Sequence, residues 1–225
     1  MDGIVGVMMF FLDQKRLQEG IKELNLSASD KQLQMLDKYS ELLFKWNKTY
    51  NLTAITDKDD VLTHHILDSL SVVNVFKNYL APNGSMLDVG SGGGLPAIPI
   101  AIMLPNCKVS MVETVGKKAA FLRQVTLNLK LTNVQVFHER VENLNHPPFD
   151  VISSRAFSSL KNFIDLSKHL LKEDGYWLAL KGQKPDAELK EIKNVVSIVV
   201  QEVKVPFLNE NRNIVIVRNE KLCCN

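Results

Sequence analysis

Residues 86–102 read MLDVGSGGGLPAIPIAI and place four glycines between two apolar runs. The first run, 86–89, has the length and composition of a buried strand, and the second, 95–103, has the pattern of a helix. Glycine adopts positive φ angles and has no side chain to block an approaching molecule. A strand, a glycine-rich turn and a helix in this order predict close approach of the backbone to a ligand at the carboxyl edge of a parallel sheet.

Beyond this turn the hydrophobic pattern alternates between the periods of strands and helices, with short connections. Such alternation predicts an α/β fold, with a mostly parallel sheet of roughly seven strands and helices on both faces. The last two strands are joined through PFLNENR without a helix, which predicts an antiparallel hairpin at the C-terminal edge. Strands are predicted over 86–89, 108–112, 134–137, 151–153, 176–180, 195–205 and 213–218, and helices over 95–103, 117–128, 159–171 and 186–194.

The chain before the turn APNGS reads as helical, so we expect a helical cap over 1–80 and one compact core over 81–225. Ser29 and Gln32 form the pattern of a capping box at the start of a helix. At helical spacing behind it lie the apolar residues of one stripe, and such a stripe is typical of core packing. Its members are Leu33, Leu36, Leu43 and Trp46.

A second helix is predicted over 61–76 and carries His64, His65 and Asp68. His64 and Asp68 are four residues apart and therefore share a face of an α-helix. Two ligands without a partner motif do not make a metal site, so we expect no bound metal. A local hydrogen bond is the simpler explanation of the pair.

Composition limits the class of protein. Of 225 residues, 45% are hydrophobic and the net charge is +2, so a globular core is expected and nucleic-acid binding would need local clusters of basic residues. Three cysteines, two of them adjacent at 223 and 224, give no disulfide framework and fit a reducing compartment. The apolar run at 4–12 is shorter than the roughly 20 residues of a spanning helix. We expect it to be a short helix or extension packed on the body of a soluble, cytoplasmic protein.

Two acidic residues accompany the glycine turn. Asp88 lies at the end of the first strand, and Glu113 ends the second strand about 20 residues after the turn, where a carboxylate can bind ribose hydroxyls. The spacing G-S-G-G-G-L-P differs from the dinucleotide pattern G-x-G-x-x-G, and an acid in front of the turn would repel a pyrophosphate. The acid suits S-adenosylmethionine, whose methionine end carries an ammonium group and a sulfonium.

These residues together look like those of a class I methyltransferase, with its Rossmann-like sheet. Seven segments in order are similar to the bacterial small-subunit (16S) rRNA guanine-N7 methyltransferase family, also called glucose-inhibited division protein B. They are KWNKTYNLTAI, HHILDSL, DVGSGGGLPAIPIAI, VGKKAAFLRQV, RVENL, FDVISSRAF and LALKGQ, and the resemblance spans about residues 12 to 218. The family usually has glycine where this chain has Ala97, a departure that would affect only tight helix–sheet packing.

The resemblance implies methyl transfer from S-adenosylmethionine to N7 of a guanine in 16S rRNA. It also implies a set of cofactor contacts, of which Val141 and Glu142 would face the adenine. The implied contacts are Gly90, Leu95, Val141, Glu142 and Arg155, and we add Asp88, Ser91, Gly92 and Glu113. N7 is a ring nitrogen with a free lone pair, so no general base is needed and none is assigned.

Other residues are candidates for positioning the substrate. Arg155 and Phe157 would hold or stack on the base, although an ion pair and a core aromatic are the simpler alternatives. Family motif position adds Asn51, His64 and Asp68 from the N-terminal segment. Because the major groove of A-form RNA is too deep for side chains, the target guanine must lie in a loop or be splayed from the stack.

Basic residues near the motifs are candidates for phosphate contacts, although each alone fits an ordinary solvated surface. They are Lys45, Lys48, Lys117, Lys118, Arg123 and Lys181. Three other functions stay open: a methyltransferase acting on a small molecule or protein, a cofactor-binding regulator without turnover, and an NAD-dependent oxidoreductase. We expect a monomer.

Overall fold

A computed structural model describes residues 11–155, 157, 159–192, 195–210 and 212–219. The described chain forms one seven-stranded sheet in the order β3-β2-β1-β4-β5-β7-β6. Its strands are β1 Ser85–Val89, β2 Lys108–Glu113, β3 Val134–His138, β4 Phe149–Ser154, β5 Leu171–Lys181, β6 Val195–Val203 and β7 Arg212–Asn219.

The sheet has the predicted mixture of strand directions. The pairs β3–β2, β2–β1, β1–β4 and β4–β5 are parallel. Strand β7 is antiparallel to both of its neighbours, β5 and β6. The C-terminal hairpin is therefore confirmed, and its second strand is the one that joins the parallel part.

Helices cover both faces of the sheet, as predicted. They are α1 Gln14–Glu23, α2 Asp30–Tyr50, α3 Lys58–Asp60, α4 Asp68–Ser71, α5 Val73–Tyr79, α6 Ala97–Met103, α7 Gly116–Asn128, α8 Leu160–Ser167 and α9 Asp186–Leu189. A π-helical segment, Val61–Leu67, joins α3 to α4. Short 3-10 turns occupy Val141–Asn143 and Lys168–Leu170.

Successive strand residues point to opposite faces and enter two different cores. Met111 and Val151 belong to the core formed with α2, α6 and α7, whereas their neighbours Val112 and Ile152 belong to the core formed with α8. Because both faces are covered, these strands are apolar on both sides, which is the signature of a buried parallel sheet.

The N-terminal segment is helical, and its capping box at Ser29 and Gln32 is present. Three residues of the predicted stripe are buried and Trp46 is half-buried, with its ring 5.4 Å from that of Phe121 in α7. One apolar core runs without a break from Leu17 in α1 to Ile216 in β7. The division into a cap over 1–80 and a core over 81–225 stays a prediction.

Several element boundaries differ from the prediction. The helix expected over 61–76 is a π-helical segment followed by two α-helices that meet at Val72. The helix expected over 186–194 ends at Leu189. Strand β5 begins at Leu171, before the predicted start, because Leu171 pairs with Phe149 of β4 ahead of an irregularity in the register. Within its described residues the chain contains no helix long and apolar enough to cross a membrane.

Most of the apolar run at 4–12, and the pair Cys223 and Cys224, lie outside the described residues. At the end of that run the backbone N–H groups of Phe11 and Leu12 donate to the carboxylate of Asp37, at 3.0 and 2.6 Å. Leu12 is buried, so this part of the run packs on the body as expected. Cys107 is buried just before β2.

Candidate active site

The glycine turn between β1 and α6 has the left-handed backbone that its sequence predicts. The φ angles of Gly90, Gly92 and Gly94 are 70°, 55° and 88°. A Cβ atom at Gly94 would lie 2.7 Å from Cγ1 of Ile98 in α6, so this position tolerates no side chain. Ala97 begins α6 and is buried, and its methyl group is accommodated between helix and sheet.

Tyr39 of α2 supports the turn from the N-terminal side. Its hydroxyl donates a 2.6 Å hydrogen bond to the carbonyl oxygen of Gly93, and the side chain is completely buried. The neighbouring Leu43 lies 3.0 Å from the position of a Cβ on Gly93. The helical cap is therefore in direct contact with the turn.

Asp88 is buried at the end of β1, beside the turn. One carboxylate oxygen accepts a 2.8 Å hydrogen bond from the hydroxyl of Ser153, whereas Oδ2 has no partner among the described residues. Burial raises the pKa of Asp88 to about 7, against the opposing effect of hydrogen bonds to the carboxylate. A buried oxygen without a partner is costly, so it marks a place where a bound cationic group would be stabilised.

Glu113 at the end of β2 braces the turn. Its Oε2 accepts from the N–H of Gly92 at 2.8 Å and its Oε1 accepts from the N–H of Val115 at 2.9 Å. Each carboxylate oxygen retains further acceptor capacity. The sequence did not indicate this structural role of Glu113. The contact of Glu113 with ribose hydroxyls stays a prediction.

Val141 and Glu142 form the 3-10 turn that follows β3. Val141 is buried in the core beside α8, and Glu142 is bound by Arg140 at 2.7 Å. Hydrogen bonds from its own backbone and from Arg140 lower the pKa of Glu142. The carboxylate is therefore ionised at neutral pH and able to accept from an amino group.

Arg155 follows β4 and is held by the N-terminal segment. Its guanidinium lies 3.2 Å from Oδ2 of Asp68 and donates to the backbone carbonyl of His64 at 3.4 Å. The other oxygen of Asp68 accepts from Nε of Arg212 at 2.8 Å. Asp68 is therefore a buried carboxylate shared by two arginines from distant parts of the chain.

Among the described residues, no hydrogen bond or ion pair joins the two members of the predicted His64–Asp68 pair. The ring nitrogens of His64 lie 3.7 Å from carboxylate oxygens of Asp60 and of Glu210, and Asp68 faces the arginines. The local hydrogen bond expected for this pair is therefore absent among the described residues, and each of the two side chains has other partners. No group of three potential metal ligands occurs in the described part of the chain.

Among the described residues, no contact joins Asn51 to the cluster of Asp68, Arg155 and Arg212. Asn51 ends α2 with a φ of 49° and lines a different cavity of about 510 Å³ together with Lys48 and Thr53. Phe157 is half-buried, with its ring 5.5 Å from that of Phe163, so a core contact accounts for it.

The six predicted phosphate contacts differ in what holds them. Lys181 is largely buried and donates to Glu188 at 2.9 Å and to the carbonyl of Phe157 at 3.0 Å, which leaves it badly placed for the RNA backbone. Lys45 is exposed and paired with Glu41 at 2.6 Å, and Lys48 lies over the Phe44 ring. Lys117 and Arg123 are exposed on α7, and Lys118 is half-buried.

Comparison with known proteins identifies the family. The family rRNA small subunit methyltransferase G matches residues 32–215. This chain belongs to that family. It is 45% identical over 207 residues to the ribosomal RNA small subunit methyltransferase G of Ectopseudomonas mendocina, covering 91% of this chain and 95% of that protein. It is 44% identical to the protein of the same name from Chromobacterium violaceum, covering 91% and 97%.

Solved structures of lower identity share the fold. A SAM-dependent methyltransferase from Aquifex aeolicus superposes with a TM-score of 0.53 and 17% identity, covering 79% of this chain and 97% of that one. TYW2 of M. jannaschii, solved in complex with AdoMet, gives 0.51 and 18%, covering 68% and 77%. The chain thus has the class I methyltransferase fold, as predicted.

The structure brings many of the predicted residues to one edge of the sheet. Those at or just after a strand end are Asp88, Gly90, Ser91, Gly92, Glu113, Val141, Glu142 and Arg155, and Leu95 follows the glycine turn. Sequence reasoning missed Tyr39 and Arg212. Tyr39 lies in α2 beside the predicted apolar stripe, and Arg212 directly precedes the strand predicted over 213–218. Nothing in the sequence around either residue indicates which distant residue it contacts.

Proposed function

We propose that this member of the rRNA small subunit methyltransferase G family transfers a methyl group from S-adenosylmethionine to N7 of a guanine in 16S rRNA. The observation that carries the proposal is the buried Asp88, whose Oδ2 lacks a partner among the described residues beside the left-handed glycine turn. Family membership over residues 32–215 supports the substrate class.

The donor set fits S-adenosylmethionine. Asp88 would accept from the ammonium group of the methionine moiety, next to the half-buried backbone of Gly90 and Gly92, with Ser91 between them. Glu113 would accept from the ribose hydroxyls, and the turn at Val141 and Glu142 would contact the adenine. Leu95 supplies an apolar wall. When bound, S-adenosylmethionine supplies an electrophilic methyl group on its sulfonium.

The residues of this chain then have to bind the cofactor and the guanine and orient them, because N7 presents a lone pair and loses no proton. Holding two reactants in line contributes up to about 7–11 kcal/mol to lowering a barrier. Arg155 is the candidate for this role, since Asp68 and the carbonyl of His64 fix its guanidinium. Phe157 and Asn51 remain weaker candidates.

The RNA partner is the small ribosomal subunit or its rRNA, in the cytoplasm, and we propose that the enzyme acts as a monomer without a metal ion. Cations of α2 and α7, all exposed except the half-buried Lys118, would contact phosphates. Trp46 of α2 packs on Phe121 of α7, so Lys45, Lys48, Lys117, Lys118 and Arg123 lie on two neighbouring helices.

The test is methyl transfer from labelled S-adenosylmethionine to small subunits, and to naked rRNA, from cells that lack this gene. We expect 7-methylguanosine at one site by mass spectrometry, and none with Asp88→Ala. Asp165→Asn, which changes an exposed carboxylate on α8, should leave the product unchanged. Cofactor binding without RNA labelling would overturn the proposal and leave a small-molecule acceptor, a protein acceptor or a non-catalytic role.

A further inference from the structure

A cavity of about 310 Å³ lies beside Arg155, at the carboxyl end of β5 and the start of β7. Its size is at the lower end of the range for small-molecule sites, about 300–1,000 Å³. Its polar lining comprises Asp68, Ser71, Arg155, Lys181, Arg212 and Asn213. Apart from Arg155, none of these residues belongs to the proposed cofactor site.

The charges around this cavity are balanced. Arg155 and Arg212 share the carboxylate of Asp68, at 3.2 and 2.8 Å. Arg212 also binds Glu210 at 2.8 Å, and Lys181 binds Glu188 at 2.9 Å. Three cations therefore face three carboxylates, so the cavity suits a neutral polar ligand better than a phosphate.

The hydrogen-bonding groups left over in the cavity are complementary to guanine. The amide nitrogen of Asn213 donates to the carbonyl of Gly182 at 3.3 Å, whereas its Oδ1 accepts no hydrogen bond from the described part of the chain. Arg155 is 33% exposed and carries five N–H donors, of which the contacts to Asp68 and His64 use two nitrogens. The cavity thus offers an acceptor and a donor.

We propose that this cavity receives the target guanine after it has left the RNA stack. This inference rests on the proposed function. Arg155 donates to O6, and Oδ1 of Asn213 accepts from the N1–H or the 2-amino group, which leaves N7 unblocked. Adenine presents an amino donor at the position of O6, so the same pair of residues would disfavour it.

The position of Arg155 supports this assignment. The residue follows β4, the strand next to β1 with Asp88 near its end, and it also lines the cavity beside β5. In a parallel sheet the ligands lie outside the carboxyl ends of the strands, so a base at β5 and a cofactor at β1 are neighbours across β4. Arg155 is the side chain that the two sites have in common.

Asn213→Ala tests the acceptor directly. We expect kcat/KM for rRNA to fall by about tenfold or more, the loss that follows when a buried partner is left unpaired, with unchanged affinity for S-adenosylmethionine. Asn213→Asp keeps the oxygen and should recover activity relative to the alanine variant. Asn219→Ala is the matched control, because Asn219 ends the same strand and also donates to a backbone carbonyl, that of Lys172.

Gly182→Leu tests the cavity without removing a polar group. A Cβ at Gly182 meets no atom within 4 Å, so the variant should fold with the wild-type melting temperature while its side chain takes up space beside the base. We expect rRNA methylation to fall at least about tenfold with cofactor binding intact.

The outcomes separate the two proposals. Wild-type enzyme that methylates rRNA, together with Asn213→Ala and Gly182→Leu variants of equal activity, would overturn the cavity assignment alone. Wild-type enzyme that binds the cofactor and methylates neither subunits nor rRNA would overturn the proposed function and this inference with it. Loss in both variants with Asn219→Ala active would support the guanine site.

Discussion

The hydroxyl group of Tyr39 donates a 2.6 Å hydrogen bond to the carbonyl oxygen of Gly93 across 54 residues of sequence. Burial raises the pKa of Tyr39 far above its ordinary value, so the hydroxyl stays protonated and acts as a donor at every working pH. Helix α2 therefore holds the glycine turn in place. The N-terminal helices thus contact the proposed cofactor site directly, although none of their residues carries a cofactor motif.

Tyr39→Phe keeps the ring and removes this hydrogen bond. We expect about 1–2 kcal/mol less stability, because the Gly93 carbonyl is left buried and unpaired. The affinity for S-adenosylmethionine should fall by about three- to tenfold as the turn loosens. Thermal unfolding and calorimetric titration of the cofactor measure the two effects.

Tyr79→Phe is the control for this change. Tyr79 is half-buried and its ring lies 4.7 Å from that of Tyr176, a contact that phenylalanine preserves. Equal cofactor affinity in both variants would show that the hydrogen bond to Gly93 has no part in shaping the turn.

Asp88 makes cofactor binding depend on pH. With a pKa of about 7, the carboxylate is mostly protonated at pH 6, and binding a cationic ammonium group then requires the release of that proton. The affinity for S-adenosylmethionine should fall by about tenfold between pH 8 and pH 6. Titration of the cofactor at several pH values measures this, and Asp88→Asn should bind weakly without that pH dependence.

The same residue links stability to pH in the opposite direction. Between about pH 4 and pH 7 the folded protein retains a proton on Asp88 that the unfolded chain has lost. Raising the pH through this window therefore lowers the free energy of unfolding of the cofactor-free protein. Relative to Asp88→Asn, the wild type should lose at least about 2 kcal/mol from pH 5 to pH 8. Urea unfolding of both proteins at several pH values measures the difference between their free energies of unfolding. A difference that stayed constant with pH would contradict the prediction.

Strand positions could be predicted from the sequence because their signal is local. Met111 and Val112 are adjacent and both buried, one on each face of β2, and such runs flanked by turns identify a parallel sheet. The turn from 90 to 94 was predictable for the same reason, since only glycine tolerates its φ angles without strain.

Contacts between distant segments could not be predicted from one sequence. Arg212 lies 144 residues from Asp68, and Tyr39 is an aromatic residue in an amphipathic helix like many others. The π-helical segment Val61–Leu67 also has no reliable sequence signal, because apolar residues at helical spacing fit either kind of turn. Asp68 directly follows this segment and faces Arg155, whereas His64 within it lies beside Asp60 and Glu210.

Asp68→Asn removes the negative charge from a buried ion-pair cluster and leaves two arginines without their shared carboxylate. Since both guanidinium groups retain some exposure, we expect a loss of about 2 kcal/mol, below the value for a completely buried pair. Urea unfolding measures it. Asp165→Asn, on the exposed side of α8, should cost less than about 0.5 kcal/mol, and a similar cost in both variants would contradict the role assigned to Asp68.

Salt dependence tests the exposed cations of α2 and α7. Each phosphate contact that is lost reduces the slope of log K against log salt by about 0.7–0.9, because fewer counterions are released on binding. The double variant Lys117→Gln, Lys118→Gln should therefore reduce the slope for rRNA by about 1–2 and leave cofactor affinity unchanged. Filter binding at increasing salt measures the slope. Lys15→Gln is the control, because the Lys15 side chain is 86% exposed on α1 and is not among the proposed phosphate contacts. An unchanged slope in the double variant, or an equal change in the control, would remove α7 from the RNA-binding surface.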